Sequence, residues 1–280
     1  PLTHIATDGE SSGHKHRHGE MVLAAALATI ETDPSVELIN YGLFLRRHPP
    51  TMEARIHENS SWSCVHGIER WRSDCGCNSG KAGSHQRWRA PLRDALDWLR
   101  DSMLPRFEEI GRALLKEPWA ARDAYIAVIL DRSPESIRRF FEAHAARPLQ
   151  DHERTTAIQL MELQRHAMLM YTSCAWFFDD VSGIETVQVI QYAARAIQLA
   201  KMALGMDLES GFLERLAHAP GNSKELPDGR AVYDQCARPA MLSLERVAAR
   251  RRQRRHQRPV FARNELLDLQ LAIADEPQRD

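Results

Sequence analysis

Pro91-Leu92-Arg93-Asp94-Ala95-Leu96-Asp97-Trp98-Leu99-Arg100-Asp101-Ser102-Met103 decides the fold. Leu92, Leu96, Leu99 and Met103 recur at helical spacing, so one face of this stretch is apolar and the opposite face charged. The same period returns at Ile158, Met161, Leu163, Ala167 and Met170, and continues through 183–204 and 232–247. Ser133-Pro134, Ala219-Pro220-Gly221-Asn222 and Pro227-Asp228-Gly229 supply the breaks. From Pro91 onward the chain therefore reads as a helical bundle, and the fold class as mainly α. Trp176-Phe177-Phe178-Asp179-Asp180 reads as the end of a long apolar helix, where two acids oppose the macrodipole and need compensation.

Toward the N-terminus the pattern changes. Leu2-Thr3-His4-Ile5-Ala6 is a short extended run, followed by the turn-rich Thr7-Asp8-Gly9-Glu10-Ser11-Ser12-Gly13. Residues 21–30 read as a helix closed by Asp33-Pro34, residues 36–39 as a second strand, and a short helix then runs to Arg47 and stops at His48-Pro49-Pro50. A strand, a polar loop, a helix and another strand make an α/β alternation. The chain thus divides into 1–53 (α/β), 54–91 (an irregular Trp- and Cys-rich loop region), 92–248 (helical) and an arginine-rich tail at 249–280.

A chain of 280 residues can bury a sizeable core. Its net charge of −1 carries no global bias toward nucleic acid. The richest apolar run, 120–130, is interrupted by Arg122 and Asp123, so no membrane span is expected. The tail from Arg250 to Arg258 could meet phosphate backbones but reads better as a solvated stretch, and no nucleic-acid partner is expected. Cys64, Cys75, Cys77, Cys174 and Cys236 are odd in number and sparse, which argues against a disulfide framework and fits a reducing compartment. The expected location is cytoplasmic. The sequence opens on Pro1 and enters the extended run at once, so a true start is expected to be missing.

Four groups of residues could carry chemistry. Asp8 and Glu10 follow an extended run beside a glycine, where barrel enzymes place reactive carboxylates, and burial or like charge raises a carboxyl pKa. A solvated loop before a helix is the plainer account of the same residues. His14, His16 and His18 share one face of an extended segment but lack a defined fourth ligand. Cys64, His66, Cys75, Cys77 and His85 could make a Cys/His zinc site, yet the ten- and one-residue gaps between the cysteines match no usual ligand pair. Free, metal-poor cysteines and no metal or other cofactor are therefore expected. Trp62, Trp71, Trp88 and Trp176 offer flat apolar faces, with Asn59, Arg70, Arg72 and Asp74 as hydroxyl partners; packing between elements is the alternative for any one of these rings.

Taken together, these motifs resemble glycoside hydrolase family 57. Ile5-Ala6-Thr7-Asp8-Gly9-Glu10 with Gly13-His14 is similar to its fourth sequence region. The stretch from Glu58 to Gly67, with Glu69-Arg70-Trp71, Asp74-Cys75-Gly76-Cys77, Tyr171-Thr172-Ser173-Cys174 and Gly183-Ile184-Glu185-Thr186-Val187-Gln188, resembles the branch with an additional C-terminal domain of unknown function. The resemblance covers the chain to about Val247; the arginine-rich stretch beyond departs from it, as a frame change or gene-end artefact would make it do. It implies that residues 1–53 are the C-terminal remnant of a seven-stranded β/α barrel. It also implies action on an α-glucan or maltooligosaccharide by hydrolysis or transfer with retention, and Asp8 as the acid/base. Glu10, His14, Trp62, Trp71, Trp176, Asp179 and Asp180 are the expected substrate contacts. The nucleophile, a Glu on an earlier strand, lies outside this chain, so the chain alone is expected to be inert.

Overall fold

The computed structural model describes residues 2–9, 11–13, 16–80 and 82–241. The chain separates into two compact units, residues 1–58 and the remainder from Asn59.

The first unit holds α1 (Gly19–Glu31) and α2 (Tyr41–Arg47). Asn40 caps α2, its side-chain oxygen accepting from the Leu43 N–H at 2.8 Å. Both helices lie where local signals put them. The two expected strands do not form: residues 2–6 and 36–39 are irregular, and no sheet occurs among the described residues. A parallel strand is stable only when neighbouring strands pair with it and helices cover both its faces. Here Ile5 is 90% exposed, and no described residue of 1–58 is buried. A mainly helical chain is observed, without the barrel strands.

The second unit begins with an irregular segment whose one helical turn is the 3₁₀ stretch Glu69–Trp71. Then come α3 (Arg89–Leu114), α4 (Pro118–Ala124), α5 (Ile126–Leu130), α6 (Pro134–His144), α7 (Asp151–Leu169), α8 (Ile184–Leu199), α9 (Glu209–Leu216) and α10 (Gly229–Val232). Leu92, Leu96, Leu99 and Met103 of α3 are all buried on the predicted face, joined by Phe107 and Leu114 one and three turns on. Ile158, Met161, Leu163 and Ala167 do the same for α7, which packs along α8. Each fully buried Leu contributes on the order of 1.5–3 kcal/mol of apolar transfer energy, so these stripes hold α3, α7, α8 and α9 together. Starts are set locally: Ser133 caps α6 ahead of Pro134, and Gln150 with Glu153 form a capping box on α7.

One expected helix end is corrected. α7 stops at Leu169, and Trp176 closes a separate 3₁₀ turn, Ser173–Trp176. Asp179 and Asp180 therefore stand before the N-terminus of α8, where negative charge is favoured, instead of opposing a C-terminal dipole. The apolar run had masked the break at Tyr171-Thr172, where α7 gives way to a turn.

Candidate functional site

In the first unit, Asp8 lies on an exposed turn in which its carbonyl accepts from the Ser11 N–H at 3.0 Å. Glu10 and His14, and the arginine-rich tail, lie outside the described residues.

In the second unit, the segment from Ser61 to Cys77 folds back so that four side chains converge. Cys64 Sγ is 3.9 Å from Cys75 Sγ, 3.8 Å from Cys77 Sγ and 3.9 Å from His66 Nδ1; Cys77 Sγ is 3.5 Å from the same nitrogen. All four ligand atoms fall within 4.8 Å of one another. Two glycines in the left-handed region make this possible. Gly76, at φ 80°, turns the chain between Cys75 and Cys77. Gly67, at φ 78°, follows His66 and approaches the Asn59 carbonyl so closely that a Cβ would sit 2.3 Å from it. Burial opposes charge on Cys64, yet the backbone N–H groups of His66 and Arg70 and the side chains of His66 and Cys77 bring its thiol down to about 6. Cys77 moves the other way: burial first, then the Cys64 and Cys75 sulfurs, push its thiol up.

The spacing that argued against a metal set was read along the chain, where Cys64 and Cys75 are far apart. Two short pairs, Cys64-x-His66 and Cys75-x-Cys77, are brought face to face by the fold. The glycines beside and within the pairs were the legible signal. Arg89 was not legible. It begins α3, is fully buried, and its Nη1 donates toward Cys75 Sγ at 3.6 Å.

The aromatic residues separate into two roles. Trp62 is 83% exposed and its ring centroid lies 5.8 Å from that of Phe177, which in turn meets Trp71 edge-on at 5.8 Å. Trp71 is anchored by Nε1 donating to the Ser173 carbonyl, and Arg70 lies over Phe177 while donating to the Ser63 and Phe177 carbonyls. Trp176, by contrast, is 1% exposed and presents no face to solvent. Trp88 is likewise in the core, at the foot of α3.

Asp179 and Asp180 serve as internal clamps. Asp179 is buried and accepts from the Ser79 N–H and hydroxyl and from Gln86 Nε2. Asp180 accepts from the N–H and hydroxyl of Ser182 and, at 2.5 Å, from the Asn222 N–H. Asn222, from the predicted break at 219–222, also exchanges two bonds with the His85 backbone and donates to the Asp179 carbonyl. Three remote segments are thereby tied beside the Cys/His group. Elsewhere a concavity of about 470 Å³ is lined by Arg93, Arg100, Trp119, Arg122 and Tyr171. Its arginines are paired with Asp97, Asp101 and Asp123, so their charge is already met.

No helix among the described residues is long and apolar enough to cross a membrane. The family described as "Domain of unknown function (DUF3536)" matches residues 85–271, a span that includes the arginine-rich stretch. No curated protein and no solved structure matches the chain.

Proposed function

The chain belongs to the family of the domain of unknown function DUF3536, and we propose that it is part of an α-glucan-active retaining glycoside hydrolase or glucanotransferase. In this reading residues 1–53 end a β/α-barrel catalytic domain, Asp8 is its acid/base, and the helical domain is the accessory domain that follows it in sequence. Glucan or maltooligosaccharide is the partner.

The observation that carries the reading is the mismatch between composition and burial in the first unit. α1 is apolar round nearly its whole circumference, and such helices belong in the interior of a larger protein. Yet Met21, Val22, Leu23 and Ile30 are exposed, as are Ile5, Val36 and Leu38 of the two expected strands. These residues have the composition of a barrel layer and need further strands to cover them. The motif around Asp8 supports the same assignment. The exposed Trp62, backed by Phe177 and Trp71, is a flat aromatic face of the kind on which sugar rings stack.

Asp8 would first protonate the glycosidic oxygen as the bond to the leaving sugar breaks. A second carboxylate about 5–5.5 Å away attacks the anomeric carbon, and Asp8 then deprotonates the water or sugar hydroxyl that displaces it. That second carboxylate is supplied from outside residues 1–280. Residues 1–280 alone are accordingly expected to release no sugar from maltooligosaccharides. In the full-length protein, Asp8→Asn should lower kcat by roughly 10²–10⁴-fold, the usual contribution of a positioned proton donor, with KM little changed. Steady-state assays on maltooligosaccharides check both; an unaltered kcat removes Asp8 from the mechanism. The alternative, a non-enzymatic helical metal- or nucleic-acid-binding module, draws one supporting observation, the Cys/His group, and that group is compatible with either reading.

A further inference from the structure

We propose that Cys64, His66, Cys75 and Cys77 are the four ligands of a structural zinc site that orders the loop region against the helical domain. The site stands or falls separately from glucan turnover.

The distances carry the first part of the case. Zinc bonds of about 2.3 Å to sulfur and about 2.0–2.1 Å to nitrogen, at tetrahedral angles, put sulfurs about 3.8 Å apart and sulfur and nitrogen about 3.6 Å apart. Four of the six separations here are 3.8 and 3.9 Å between sulfurs and 3.5 and 3.9 Å between sulfur and Nδ1, and all six lie within 4.8 Å. A disulfide would need about 2.05 Å, and all three cysteines are free thiols. Three thiolates and an imidazole at tetrahedral spacing select zinc over harder divalent ions, and four protein ligands leave no open position for substrate.

Charge supplies an independent argument. Arg89 is fully buried, its Nε and Nη2 have no hydrogen-bond partner among the described residues, and its Nη1 points at Cys75 Sγ. A buried guanidinium needs an anion, since an uncompensated buried charge is strongly destabilising. The groups that act on it as anions are the Cys75 and Cys77 sulfurs and the Asp74 carboxylate. Three thiolates around Zn²⁺ with a neutral histidine carry one net negative charge, which Arg89 matches as an outer-shell partner.

The loop itself needs such a staple. Between Asn59 and Arg87 the described buried residues are Cys64, Arg70 and Gln86, so the segment has a single buried apolar side chain, and that one is a ligand. Beyond that residue the apolar packing of the segment on the core rests on the partly buried Trp71, whereas a bound zinc supplies folding energy directly. The left-handed Gly67 and Gly76 then have a purpose: each turns a ligand pair inward.

The test uses the 280-residue chain purified without chelator. Elemental analysis should find about one zinc per chain. Cys75→Ser and Cys77→Ser should each lower it at least fivefold, while Cys174→Ser, at an exposed position outside the group, should keep it. If the ligand variants fail to fold, wild-type protein decides. Mercurial titration of its thiols should release the zinc, and exchange with Co²⁺ should give the intense visible bands of a tetrahedral thiolate site. Zinc below about one-fifth of an equivalent in folded protein, zinc retained in both variants, iron in its place, or a disulfide within the group would each overturn the assignment.

Discussion

Glu162 lies on α7 with 1% of its surface exposed, and everything around it is arranged to keep it ionised. Tyr125 donates to it at 2.8 Å, and Arg132 and Arg165 pair with it at 3.1 and 3.2 Å. Burial, the largest influence, opposes its charge, but the Tyr125 hydroxyl and the two guanidinium groups outweigh it and hold the carboxyl below its ordinary range. His166, whose Nδ1 lies 2.8 Å from the Glu162 carbonyl, is also lowered, because burial disfavours the imidazolium. Both shifts have the same sign for stability. Glu162 contributes fully above about pH 4.3, the unfolded value, and the contribution is lost as pH falls through its lower folded value. For His166 the loss starts below about pH 6.5, where the unfolded chain takes up a proton that the folded ring resists. Tm should thus begin to fall below about pH 6.5 and fall further below about pH 4.3. His166→Gln should shrink the upper step without abolishing it, because His144 is lowered too, by burial and then by Lys116. Glu162→Gln should cost about 3–5 kcal/mol at neutral pH by leaving buried cations unpaired. Thermal melts across pH check these signs; a Tm that rises between about pH 6.5 and 5 contradicts them.

Where α3 meets α9, the contact rests on one missing side chain. Gly211 sits under the Trp98 ring, and a Cβ there would lie 2.6 Å from Cη2 and 2.8 Å from Cζ2. Arg215 covers the ring from 4.3 Å and donates to the Gly211 carbonyl, which fixes the indole between glycine and guanidinium. Two effects compete in Gly211→Ala. Helix propensity favours Ala by about 0.8–1.0 kcal/mol, while overpacking a filled site costs typically about 1–3 kcal/mol. The overpacking should win, lowering Tm by several degrees at about 2–4 °C per kcal/mol for a domain of this size. Combining it with Trp98→Leu should recover part of the loss, a coupling that a double-mutant cycle measures. A Tm raised by Gly211→Ala alone means the ring is free to yield.

Across the molecule, burial is divided very unevenly. The stripes of α3, α7 and α8 are inaccessible, whereas α1 and α2 bury no residue. Local opening free energy follows buried apolar contact. Amide exchange in the isolated 280-residue chain should therefore be near the unfolded rate in α1 and α2 and slowest in α3, α7 and α8. The proposed glucan-enzyme reading requires α1 to become protected in a protein that carries further barrel strands, because those strands would cover it. Exchange in α1 that is equally fast in both samples removes that requirement and weakens the barrel assignment.

Periodicity, caps and breaks are local, and so the sequence by itself determined the helical class, the buried faces of α3 and α7 and the extents of α1 and α2. The Ser133-Pro134 and 219–222 breaks were legible for the same reason: Pro and Gly restrict the backbone wherever they occur. Local information failed where one residue's role is set by a partner far along the chain. Asp179 and Asp180 read locally as helix-ending acids, whereas the fold brings Ser79, Gln86 and Asn222 to donate to them. By local signature Trp176 and Trp62 are equally candidates for a sugar platform or for packing; only the fold buries the first and leaves the second exposed. The Cys/His group is the clearest case. Ligand spacing counts residues, but a metal senses only the distance between atoms, and that distance was decided by two left-handed glycines and by the buried Arg89 that α3 brings alongside.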